Sequence, residues 1–156
     1  MNLFCESAFR QINVLAQSIC DIIDKLEDNN LARRPTENKH SIGELLKHIA
    51  MICEADLHIS DEKKIEEMES YYSSKVISSK EEIKQELMNN VQLLQERYAF
   101  YSEKELMQMT TSYWGVTYTR FDWLLEIVAH LYHHRGQLHA ILVHYYKQDP
   151  NINLFE

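Results

Sequence analysis

Residues 119–146 read TRFDWLLEIVAHLYHHRGQLHAILVHYY, and this stretch decides the fold. It contains no proline and a single glycine, Gly136, so nothing in it interrupts a helix. At 1.5 Å per residue such a helix is roughly 40 Å long. Bulky apolar side chains sit almost all the way round it, including Phe121, Trp123, Val128, Leu131 and Tyr132. A helix apolar on every side needs burial beyond one face. It must therefore pack among other helices, and a homodimer is expected.

Three further helices are legible upstream. Phe9, Ile12, Leu15, Ile19, Ile22, Ile23 and Leu26 recur by threes and fours from about Phe4 to Glu27. The polar run Asp28-Asn29-Asn30 ends that helix, and Pro35 lies in the loop beyond. Ser41 with Glu44 forms a capping box for a second helix, striped by Leu45, Leu46, Ile49, Ile52 and Ile59. Residues 61–78 read as an irregular connection. Ser79 with Glu82 then opens a third helix carrying Ile83, Leu87, Val91, Leu94, Tyr98 and Tyr101. A less regular stretch containing Tyr113-Trp114-Gly115 precedes the last helix. Four helices with apolar faces have one economical arrangement, an all-α four-helix bundle in which residues 1–156 form a single domain.

Composition narrows the function. The chain has 156 residues, 45% of them hydrophobic and 26% charged, with only three glycines and two prolines. Sixteen basic against 24 acidic residues give a net charge of −8, and no Lys/Arg cluster is present, so nucleic-acid binding is not expected. No apolar run approaches the roughly 20 residues of a membrane span. Met1–Glu6 lacks a basic and then apolar leader pattern, and Cys5, Cys20 and Cys53 form neither a C-x-x-C pair nor an even framework. A cytoplasmic protein with reduced thiols is expected.

The histidines carry the chemistry. His130 and His134 are four apart on the last helix, about 40° round and one turn along, so both imidazoles can reach one ion. The adjacent glutamate of an H-E-x-x-H protease is absent, since position 131 is leucine. His130 and His134 line up with Trp123, Ile127 and Ile141 on the edge of the inward arc, whereas His133 turns toward Glu126 and Asp122 on the polar arc. His48 lies between Leu45 and Ile52 on the apolar side of the second helix. Three separate core histidines would each need a polar partner; one metal ion satisfies all three. Three imidazoles with an open position is the pattern of a catalytic rather than a structural site.

The string His130-Leu131-Tyr132-His133-His134-Arg135-Gly136-Gln137-Leu138 resembles the signature of the DinB (DinB/YfiT-like) family, as does Ser41-Ile42-Gly43-Glu44-Leu45-Leu46-Lys47-His48. The resemblance extends over essentially the whole chain. It implies a four-helix bundle holding a divalent ion, zinc or nickel, through His48, His130 and His134. It further implies a metal-dependent enzyme acting on a small molecule. Thiol S-transfer leads, with the ion activating a low-molecular-weight thiol. A hydrolase using metal-bound water is the nearby variant, and a non-catalytic, stress-associated metal-binding or interaction protein is the alternative. Homodimers are common among such proteins.

Other residues of the string have narrower readings. Gln137 is the candidate catalytic residue, bonded to a ligand histidine or a metal-bound water, or else a partner of the first helix or the opposing backbone. Arg135 is expected to pair with an acidic side chain, and Gly136 to permit close helix approach. His40, His139 and His144 are assigned to surface or packing roles, and His58, about 80° off the metal line, is set aside as a ligand. The pairs Tyr71-Tyr72, Tyr113-Trp114 and Tyr145-Tyr146 read as packing or cavity-lining aromatics. Cys53 reads as a small buried hydrophobe.

Overall fold

The computed structural model describes residues 1–155. Four long helices match the sequence reading: α1 (Leu3–Lys25), α2 (Ile42–Ser60), α4 (Lys80–Phe100) and α6 (Arg120–Ala140). Between α2 and α4 lies α3 (Ile65–Ser74), and after α4 come α5 (Glu103–Leu106) and the strands β1 (Met109–Thr111) and β2 (Thr117–Thr119). α1 and α2 each pack against both α4 and α6, so the four long helices share one core. That core is filled by Ile12, Leu15, Ile19, Leu46, Ile49, Leu87, Leu94, Ile127 and Leu131 among others.

Local chemistry sets the ends. Ser41 Oγ accepts from the Glu44 amide at 3.1 Å while Glu44 returns a bond to the Ser41 amide at 2.8 Å; Ser79 and Glu82 repeat the pattern for α4. Thr119 and Asp122 cap α6 in the same way, which fixes where its histidines fall. At the other end α6 widens into a π-turn over Ile141–Tyr145.

The segment expected to be irregular, residues 61–78, instead contains α3. Its single buried residue is Met68, which joins Ala55, Ile59 and Trp123 in a small second core. A helix with one buried residue leaves no periodic stripe to read. Tyr71 completes its docking: its hydroxyl donates to Glu54 at 2.9 Å, and Lys75 bridges Glu54 and Glu86 at 2.6 Å each. Around Tyr113-Trp114-Gly115 the chain makes an antiparallel hairpin, Thr110 facing Tyr118. Gly115 takes φ +94° at its turn, a conformation side chains disfavour.

Two expectations are corrected. Gly136 gives no close approach, because a Cβ there would meet nothing within 4 Å; the tight glycine is Gly43, where a Cβ would lie 3.0 Å from the Leu31 carbonyl oxygen. Among the described residues Arg135 has no acidic partner. It is buried, donates to Ser18 Oγ at 3.1 Å and to the Leu154 carbonyl, and stacks on Tyr132 and Phe155. The apolar girth of α6 is also met largely within one chain, since Trp123 and Leu131 are fully buried and Phe121, Val128 and Tyr132 pack half-buried on the core.

The hairpin is tied to α6 by one buried hydrogen bond, Trp123 Nε1 to Thr110 Oγ1 at 3.0 Å. Thr110→Val keeps the shape and leaves the indole N–H without a partner, so urea denaturation should show a loss of about 1–3 kcal/mol. Thr111→Val, at an exposed position of the same strand, should stay within about 0.5 kcal/mol of the parent.

Candidate metal centre

α2 and α6 pack side by side, and their contact brings His48 opposite His130 and His134. His48 Nε2 lies 3.3 Å from His130 Nε2 and 3.1 Å from His134 Nε2, and the three form a cluster able to hold a metal ion. Nitrogens about 2.1 Å from one ion lie roughly 3.0–3.4 Å apart in octahedral to tetrahedral sets. The observed spacings fall inside that range.

The remaining ring nitrogens show which way the protons point. His130 Nδ1 is 2.9 Å from Asp56 Oδ2, and His134 Nδ1 is 2.9 Å from Gln137 Oε1. Carboxylate and amide oxygens only accept, so both Nδ1 atoms carry hydrogen, and in the neutral rings both Nε2 atoms present lone pairs. Oriented imidazoles of this kind are the usual supporting arrangement of a metal site. Among the described residues no fourth His, Cys, Asp or Glu joins the cluster.

Charge is disfavoured on two of the three rings. Burial pushes His48 down to about 4, helped by the neighbouring charges of His134, His130 and His40. Burial also lowers His134, against its bond to Gln137. His130 is raised, chiefly by its hydrogen bond to Asp56. Below pH 6.5 an unfolded chain takes up a proton at His48 that the folded chain refuses until about pH 4; His48 therefore makes metal-free stability fall as pH drops through that window. His130 acts in the opposite sense: its contribution is present below its unfolded pKa and is lost as pH rises through its elevated value.

A cavity of about 520 Å³ opens beside His48, bounded by the loop carrying Lys39 and His40, by Lys47 and Met51 of α2, and by Tyr72 of α3. Burial raises the Tyr72 phenol to about 12, with Asp56 and Tyr113 adding to the shift, so it stands as a protonated donor. A second cavity of about 690 Å³ lies on the other side of His40, reaching Gln137, His144 and Tyr145.

The sequence reading placed the three histidines together correctly in space and put His133 outside the cluster, where it is exposed. Gln137 bonds His134 and does not contact the first helix through that oxygen. His40, assigned to a surface or packing role, is exposed and has its ring 6.2 Å from that of His48. His58 packs on Tyr71 away from the cluster. Cys53 is fully buried and its thiol pushed far up by burial. Tyr72, read with Tyr71 as a packing or cavity-lining aromatic, does line the cavity beside His48, although α3, which carries it, was not legible. Asp56 was missed, yet it carried a usable signal, a carboxylate between Ala55 and Leu57 on a strongly apolar helix.

The DinB superfamily family model matches residues 15–138. A crystal structure of a DinB-family protein from Exiguobacterium sibiricum is 31% identical, covers 99% of each chain and superposes with a TM-score of 0.86. A DinB-like protein from Bacillus cereus is 19% identical, with 95% of this chain and 96% of that one covered and a TM-score of 0.74. One from Bacillus subtilis is 18% identical over 99% of both chains, at 0.68; these last two share the architecture. No curated protein matches the sequence.

Two measurements test this geometry. Zinc affinity, read by competition with a chromogenic chelator at fixed pH, should fall by orders of magnitude in His134→Ala and stay nearly intact in His133→Ala; comparable losses would mean the helix phase is wrong. Urea denaturation of metal-free protein should show stability declining between about pH 6.5 and 4, and His48→Asn should flatten that decline. An unchanged slope would show that His48 is not held neutral.

Proposed function

Because the chain belongs to the DinB superfamily, and because its three Nε2 atoms converge beside an open cavity, we propose that it is a metal-dependent enzyme acting on a small molecule. His48, His130 and His134 hold one divalent ion, zinc or nickel. The observation that carries this reading is the convergence itself: His48 Nε2 lies 3.1 and 3.3 Å from the Nε2 atoms of His134 and His130, a proton on His48 serves one such contact well, and a single ion satisfies all three nitrogens at once.

The number of ligands favours catalysis over a structural role. Structural zinc sites are closed by four protein ligands, while catalytic sites keep a position open. Here the cluster supplies three, and a cavity of about 520 Å³ reaches His48, a size suited to a small molecule. An ion held by three neutral imidazoles lowers the pKa of a thiol or water bound beside it.

Thiol S-transfer is the leading reaction. A thiol made acidic by the ion needs no protein base. Attack by water gains from a positioned carboxylate, and the one nearest the cluster, Asp56, is engaged in orienting His130. Gln137 is a positioning residue, holding His134 in the tautomer that presents Nε2. Tyr72, on the cavity wall with its proton retained, donates to the small molecule bound there.

The test is an assay of zinc- and nickel-loaded protein for transfer of several low-molecular-weight thiols to an electrophilic chromogenic probe. Turnover is expected with at least one thiol, abolished by chelator and by His134→Ala. Failure with every thiol, in protein shown to be metal-loaded, would sink the transferase reading. Asp56→Ala and Gln137→Leu should each weaken metal binding by about 10–100-fold.

A further inference from the structure

The cavity beside the triad is basic in a chain that is acidic overall. With 24 acidic and 16 basic residues in the sequence, its walls still carry Arg34, Lys39, His40 and Lys47 against one carboxylate, Glu44. That carboxylate is already occupied. Both its oxygens accept from Arg34 at 2.9 Å, and one also accepts from the Ser41 amide, so Arg34 and Glu44 cancel.

Lys39 and Lys47 are left over. Neither forms an ion pair among the described residues, although seven of the other lysines and arginines do. The carboxylate that senses Lys47 is Glu82, and its Oε2 is taken by the Ser78 and Ser79 amides. Lys47 is half-buried and next to His48 in sequence; Tyr72 faces the same space with a protonated phenol. Two unmatched ammonium groups and one neutral donor around a partly enclosed space form a site complementary to an oxyanion.

We infer that this cavity binds the anionic end of a small-molecule ligand, a carboxylate or phosphate, through Lys39, Lys47 and the Tyr72 hydroxyl, while the ligand's other end reaches the histidine triad. The inference rests on the reading of the triad as a metal site. It assigns the substrate a charge: a compact molecule with one metal-seeking group and one anionic group.

Isothermal titration of zinc-loaded protein separates the two claims. Butyrate offers one carboxylate, glutarate a second at the far end of the same chain, and 4-phosphonobutyrate a phosphonate there. Glutarate or 4-phosphonobutyrate should bind about tenfold more tightly than butyrate, and the tighter of the two identifies the class of anion. In K39Q/K47Q that advantage should disappear, with zinc affinity and butyrate binding unchanged. K25Q/K104Q removes the same charge from α1 and α5 and should leave it in place. Equal affinities in the parent protein, or an advantage that survives K39Q/K47Q or vanishes equally in K25Q/K104Q, overturns the anion site while leaving the metal reading standing. Failure of the parent to take up zinc overturns the metal reading, and the anion site falls with it.

Discussion

Three imidazole nitrogens brought to one point are the constraint around which this bundle is arranged. The rings are half-buried, and bringing three of them together takes water from their nitrogens, a cost that the packing of the helices must meet. The arrangement is maintained because α2 and α6 are fixed independently. Their ends are capped, their apolar faces interlock in the shared core, and Arg120 at the start of α6 reaches Asp61 at the end of α2 at 2.7 Å. Asp56 and Gln137 then fix the rings of His130 and His134. The helices hold the rings in place before any ion arrives, so binding requires little reorganisation.

Most of this arrangement was legible in the amino-acid sequence, for physical reasons that can be named. The four long helices carry buried stripes at a period close to 3.6, and Ser41, Ser79 and Thr119 supply side chains that accept from the first free amides. The helix phase that put His130 and His134 on one side of α6, and His133 on another, follows from geometry alone. Pairing with His48 required one further assumption, that three inward histidines in one modest core share a partner.

The remainder depended on information that no local pattern holds. α3 is polar, with Met68 as its buried residue, and it is secured by the Tyr71–Glu54–Lys75–Glu86 network, whose members are distant in sequence. Arg135 was expected to meet a carboxylate because a buried guanidinium commonly does. It instead meets Ser18, the Leu154 carbonyl and two aromatic faces, partners set by where the C-terminal segment crosses α6. Gly136 lay in a recognisable string, and its role was guessed from its type; the space around it shows that a Cβ would be accommodated. Segments whose placement comes from tertiary contacts are the ones that sequence periodicity does not reach.

The separation of the cysteines from the histidine triad has a consequence for life under oxidative stress. Cys5, Cys20 and Cys53 are all buried, and burial raises each thiol and so suppresses the reactive thiolate. Zinc sites built from thiolates lose their ion when peroxide converts sulfur to sulfenic acid or disulfide. A triad with nitrogen donors alone offers peroxide no such target. An ion held by the triad would therefore be kept under the oxidising conditions that disable thiolate-based sites.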